Sequence, residues 1–261
     1  DLGPAHSGDV RLTAALNSGA NPDRLGSWAA AHGLSVQWRT GDPWAVVVGA
    51  PSAVARALDV DIHDYRGRRG NVFYASPQQP AVPAAIRTEV AELGRILGYT
   101  PHREARPPLP REVPGQGLTP ATLLRAYNVA PLRDAGYTGR GQTVVVFAFD
   151  GFDQADLDQF TRVSGLPAFV PEVVGGLPAQ RSGEATMDLQ AIHAIAPEAT
   201  KVLVNARPTV EGAGSYEKIA ALMEDVDRRF PGAVWSFSIG WGGDRRVTAA
   251  DLVPVRAALV R

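Results

Sequence analysis

Glu184 and Asp188, in the run Gly183-Glu184-Ala185-Thr186-Met187-Asp188-Leu189-Gln190-Ala191-Ile192, are two carboxylates whose four-residue spacing puts both on one face of a helix. Like charges one turn apart cannot both ionise cheaply, so such a pair tends to hold one proton and titrate as a unit, one apparent pKa pushed up and the other down. This is acid-base geometry without a histidine, suited to acidic conditions in which an imidazole would already be protonated. Carboxylates of this kind usually activate something, yet no Gly-Thr-Ser or Gly-x-Ser-x-Gly nucleophile motif occurs before Arg261. Taken alone, a Glu-x-x-x-Asp at the start of a helix is most often a solvated face whose acids suit the positive end of the helix. The surrounding sequence has to decide its meaning.

The chain has 261 residues, 45% apolar and 20% charged, enough for one large domain or two smaller ones. A formal charge of -1, with 26 basic residues spread rather than clustered, argues against a dedicated nucleic-acid binder or a partner on an acidic membrane. No apolar run approaches the roughly 18 to 20 residues that span a bilayer, and Asp1-Leu2-Gly3-Pro4 lacks the charged-then-apolar start of a signal segment. Cysteine is absent, which excludes disulfides, thiolate zinc sites and cysteine nucleophiles but leaves the compartment open. Lysine occurs only as Lys201 and Lys218, and the wealth of Arg, Ala, Gly and Pro points to a GC-rich genome rather than to a function. His6, His32, His63 and His102 show no metal-ligand spacing. His193, five residues after Asp188, is turned about 140° around the helix and so points away from the pair, in a packing or surface role.

The sharpest change in composition is Pro101 to Pro120, where six prolines and three arginines sit without apolar periodicity. This predicts an extended, solvated linker open to proteases, because proline fixes φ and removes backbone donors. Before it, the pattern predicts strands at Val10–Leu16, Ser35–Arg39 and Trp44–Val48, a helix from Pro22 to Ala31 ended by Gly33, a helix over Pro51–Leu58, a hairpin of Ile62–Tyr65 with Val72–Tyr74, and a last helix over Pro83–Leu97. That order suggests a split βαβ, ferredoxin-like α/β sandwich. After the linker, Thr119 caps a short helix with Pro120 at its first position. The runs Thr143–Phe149, Lys201–Val204 and Val234–Ile239 have the apolar continuity of a parallel sheet buried on both faces. Helical patterns at Ala155–Val163, Glu184–Ile195 and Tyr216–Phe230 alternate with them, and Ala249–Val260 closes the chain, predicting a small doubly wound α/β domain with one exposed edge.

Five blocks then give the carboxylates a context: Thr119-Pro120 with Ala126-Tyr127-Asn128; Gly136-Tyr137-Thr138-Gly139-Arg140-Gly141-Gln142; Gly183-Glu184 to Asp188; Ala196-Pro197-Glu198-Ala199; and Ser236-Phe237-Ser238-Ile239-Gly240-Trp241-Gly242-Gly243. In order and spacing, over roughly residues 118 to 245, they resemble the sedolisin family of serine-carboxyl peptidases, the kumamolisins included. The preceding domain resembles that family's propeptide. The resemblance implies a ferredoxin-like propeptide domain over 1–102, a Pro-rich activation linker over 103–118, and the N-terminal part of a subtilisin-like catalytic domain over 119–261. It implies Glu184 as general base, Asp188 as its supporting carboxylate, and Gly240, Trp241 and Gly242 along the substrate, with Trp241 walling the cleft. The nucleophilic serine, the oxyanion aspartate and a calcium loop are expected in sequence beyond Arg261, so this chain alone is expected to be inactive, with no cofactor of its own. It implies secretion, a peptide or protein substrate, the remaining part of the catalytic domain as a partner, and processing between His102 and Thr119.

One departure is Ala148, where many members place a glutamate that assists the base; Asp150 and Asp153 stand close by as substitutes or as ordinary loop acids. Ser236 and Ser238 alternate with bulky apolar residues in a strand and are read as structural. Two alternatives stay open: a subtilisin-type protease using Asp150, which lacks a His-Gly-Thr motif, and a non-catalytic binding or inhibitory protein whose N-terminal domain acts as a plug.

Overall fold

Alternate residues of the first strand, Val10, Leu12, Ala14 and Leu16, enter one apolar core with Leu25, Ala29, Val54 and Leu58 of the two helices that follow. The elements of this region are β1 (Val10–Leu16), α1 (Asp23–Ala31), β2 (Ser35–Gln37), β3 (Trp44–Gly49), α2 (Pro51–Leu58), β4 (His63–Arg66), β5 (Val72–Ala75) and β6 (Val90–Leu93). The structure, a computed structural model, describes residues 1–6, 8–67, 70–99, 103–104, 118–240 and 247–260. β1 lies between β3 and β6 and is antiparallel to both, β2 flanks β3, and β4 and β5 form a separate hairpin.

The helix expected over Pro83–Leu97 is not formed. A single 3-10 turn at Ala84–Ile86 leads into β6, whose Val90 and Leu93 are buried in the core. Two tertiary demands override the local helical pattern. The open edge of β1 needs backbone partners, which β6 supplies. The Glu89 carboxylate meanwhile accepts from the backbone N–H of Arg24 and Leu25 at 3.0 and 2.9 Å. It thus caps α1, whose own N-cap, Pro22, has no side-chain cap.

The later elements are β7 (Arg103–Glu104), α3 (Pro120–Ala126), α4 (Ala130–Asp134), β8 (Thr143–Ala148), α5 (Gln154–Ser164), β9 (Glu172–Val174), α6 (Glu184–Ile195), β10 (Thr200–Asn205), α7 (Ser215–Arg229), β11 (Val234–Phe237), β12 (Ile239–Gly240) and α8 (Ala249–Val260). Four strands form a parallel sheet in the order β11-β8-β10-β9. Val146, Ala148 and Leu203 on one of its faces pack with Leu157 of α5 and with Ala185 and Leu189 of α6. β8 is central and its last residues are buried, as its apolar run predicts. β11, expected to be buried on both faces, is instead the sheet's edge among the described strands, with Val234 58% and Phe237 36% exposed. The chain is therefore α/β, with one antiparallel and one parallel four-stranded sheet.

Contacts group the chain into two compact units that are not consecutive segments. The first gathers the described residues up to 99 with 209–224 and 247–260; the second holds 103–104, 118–208 and 225–240. Within the first unit, Arg11 meets Glu217 and Arg39 meets Glu224, each at 2.8 Å. α8 packs on β1 and β6. The buried Asp251 of α8 accepts from the backbone N–H of Arg95 and of Thr248 at 3.0 and 2.9 Å. Gly94 makes this possible, because a Cβ there would collide with Asp251 Oδ1 and crowd the Thr13 carbonyl at 3.3 Å. Gly94→Ala should therefore lower the unfolding free energy by roughly 1–3 kcal/mol in urea denaturation, and most of that loss should vanish in an Asp251→Ala background. Equal losses in both backgrounds would contradict this account of the contact.

Candidate functional site

α6 begins at Gly183, whose φ of 94° suits glycine and which offers no side-chain cap. One orphan N–H of the first turn is met instead from beyond the end of β8. Asp150, two residues past the end of β8 and 2% exposed, accepts from the backbone N–H of Ala185 at 3.1 Å through Oδ1. Its Oδ2 accepts from the Ser182 backbone N–H at 3.0 Å and from the Ser182 hydroxyl. Asp150 is thus a long-range N-cap that fastens the start of α6 to the end of the central strand. This use of its carboxylate is that of a structural acid. Asp153 lies on the nearby loop and pairs with Arg181 at 3.1 Å, both partly exposed.

That fastening places Glu184 in the first turn of the helix, 5% exposed, where the aligned peptide dipoles favour a carboxylate. Asp188 follows one turn later. Both line a small cavity of about 10 Å3 with Phe147, Ala148, Asp150 and Ser238. Its walls come from the C-terminal ends of parallel strands, where open α/β sheets place their ligands. Ala148 occupies the wall with no polar group of its own, so the acid that helps fill that region is Asp150.

Asp188 is held above the usual carboxylate range, first by burial and also by the charge of Asp150, while a hydrogen bond from Ser238 pulls the other way. That bond runs from Ser238 Oγ to Asp188 Oδ1 at 3.1 Å. Ser238, read from the sequence as a structural strand serine, thus spends its hydroxyl on Asp188. Regular pairing is interrupted at residue 238, between β11 and β12, a break that apolar alternation in the sequence did not signal. Gly240 is exposed at the end of β12, whose Ile239 and Gly240 pair antiparallel with Glu104 and Arg103. Trp241 and Gly242 lie outside the described residues, as does most of the segment expected to be processed.

His193, for which the sequence left a packing or a surface role, is buried. Its Nε2–H donates to the Pro167 carbonyl at 2.8 Å and its ring stacks on Phe169 at 4.0 Å between centroids. Lys201, also buried, lies 5.2 Å from the same ring and donates to the Pro197 carbonyl at 2.8 Å. Burial and then the Lys201 charge push His193 down to about 4, and burial pushes Lys201 down to about 8. Among the described residues, no group of three or more His, Asp or Glu is placed to hold a metal ion, and no helix is long and apolar enough to cross a membrane. No model of a known protein family matches the chain, and no curated protein sequence matches it.

Two outcomes follow from this geometry. Asp150→Ala strands the Ala185 and Ser182 donors and should cost roughly 1–3 kcal/mol in chemical denaturation; a loss within measurement error would contradict the capping role. Between pH 6.5 and about 4 the unfolded chain protonates His193 while the native chain does not, so stability falls as pH falls through that window. His193→Gln keeps an N–H for the Pro167 carbonyl but cannot titrate, and urea midpoints measured from pH 7 to 4 should fall less steeply, by about one proton's worth. An unchanged slope would show that His193 does not carry this dependence.

Proposed function

We propose that this chain is the N-terminal portion of a sedolisin-like serine-carboxyl endopeptidase precursor, in which Glu184 is the general base and Asp188 its supporting carboxylate. The observation that carries the reading is the convergence of both carboxylates on one small cavity at the C-terminal ends of parallel strands. Glu184 would take the proton of a serine hydroxyl as that oxygen attacks the peptide carbonyl, then return it to the departing amine. Asp188 would stay beside it as the second member of a proton-sharing pair. The serine and the oxyanion aspartate are proposed to come from sequence that follows Arg261, and the same holds for the expected calcium.

Two features of the backbone support the finer reading. The sheet order β2-β3-β1-β6, with β1 antiparallel to both neighbours, suits a ferredoxin-like propeptide domain. The pairing of Arg103–Glu104 with Ile239–Gly240 suits a linker that occupies the strand end assigned to substrate, as in a zymogen. The subtilisin-type alternative is weakened because Asp150 spends its carboxylate on Ser182 and Ala185.

The precursor carrying the sequence that follows Arg261 should cleave peptides at acid pH. Glu184→Ala or Asp188→Ala should lower kcat/KM by roughly 100- to 10,000-fold. Undiminished cleavage in either variant, or a stop codon directly after Arg261, would overturn the assignment.

A further inference from the structure

Ser238 belongs to neither of the strands it joins. The residues before it pair in parallel with β8, and those after it pair antiparallel with β7. Backbone pairing thus holds the chain on both sides of it. Its Oγ donates to Asp188 Oδ1 at 3.1 Å, 50 residues away in sequence. Ser238 also lines the cavity that Glu184, Asp188 and Asp150 share.

We propose that Ser238 is a positioning residue for the carboxylate pair: its hydroxyl fixes one oxygen of Asp188 and keeps Asp188 the anionic member when Glu184 takes up a proton. The role ascribed to the pair rests on the reading of Glu184 as a base. Burial drives Asp188 toward its neutral form and Asp150 adds to that drive; the Ser238 hydrogen bond opposes both. The charged groups on elements that pack against α6 include Asp150 after β8, Arg125 on α3, Arg133 on α4, Asp156, Asp158 and Arg162 on α5, and Lys201 on β10; of these, Asp150 is the one whose charge acts on Asp188. The proton bookkeeping is simple. A proton leaves the nucleophile's hydroxyl for Glu184 and later goes to the leaving amine, and the Ser238 O–H meets the charge on Asp188 when the proton rests on Glu184. Without that O–H, Asp188 competes for the proton, and the pair stays protonated to a higher pH.

The test is a 13C NMR titration of the Asp188 carboxyl in the 261-residue chain, the signal assigned with Asp188→Asn. Ser238→Ala should raise the Asp188 midpoint by about one pH unit, a tenfold tighter proton. Ser238→Thr should restore it, and the signal of the buried Asp251 should not move. Should Ser238→Ala fail to fold, Ser238→Cys, a weaker donor, should give a smaller shift in the same direction. An unmoved Asp188 midpoint in a folded variant, or no restoration by threonine, would overturn the proposal. In the active precursor, Ser238→Ala should move the acid limb of the kcat/KM profile upward by the same amount, whereas a loss uniform across pH would count against it. The titration needs no turnover, so an inactive precursor would sink the peptidase reading while leaving the Ser238–Asp188 result to stand or fall by itself.

Discussion

The carboxylate of Asp150 joins the central strand of the parallel sheet to the start of α6, and the geometry of the site depends on that junction. Gly183 turns the chain into the helix but brings no oxygen to cap it. A serine or aspartate at that position would have closed the helix locally, with no link to the strand. With the acceptor just past the end of β8 instead, the first turn is tied to the strand by the Ala185 bond of 3.1 Å and the residue before its cap by the Ser182 bond of 3.0 Å. Glu184 and Asp188 then face the cavity that the strand ends leave open. Gathering three acids there is unfavourable by Coulomb repulsion. The backbone N–H groups, the positive end of α6 and the Ser238 hydroxyl offset it.

These partners differentiate the acids. Asp150 is buried and spent on hydrogen bonds to Ser182 and Ala185, so it serves structure. Glu184 is buried in the first helical turn, and Asp188, half-buried one turn on, has its proton affinity raised by burial and moderated by Ser238. Carboxyl groups whose surroundings differ in this way can hold different protonation states at one pH, which is how a base can work without histidine. The helix keeps its one histidine out of this chemistry. His193 is packed under Phe169 with Lys201 beyond, and its burial links the fold's stability to pH rather than the site's.

Much of this was legible in the residues. Pro51–Leu58, Glu184–Ile195 and Ala249–Val260 form helices over the spans their patterns predict, although α6 has no local side-chain cap and α8 carries Pro254 within it. Pro83–Leu97 failed because pairing with β1 and the capping of α1 by Glu89 are long-range demands that a local window does not register. β9 went unforeseen because three residues carry too little periodicity. The site divided in the same way. The carboxylate pair is a local spacing and could be read directly. The roles of Asp150 and Ser238 depend on partners 32 to 50 residues distant, and no spacing rule reaches them. The joining of 209–224 and 247–260 to the N-terminal unit likewise rests on Arg11, Arg39 and Arg95 meeting acids far along the chain.

The central proposal is that Glu184 and Asp188 act as one proton-sharing unit. Its most direct measurement is a 13C titration of the Glu184 carboxyl in the native chain and in Asp188→Asn. The account predicts a Glu184 curve spread over two steps in the native chain, collapsing to a single step when Asp188 can no longer ionise. A Glu184 carboxyl that titrates in one ordinary step, at the same midpoint in both proteins, would contradict it.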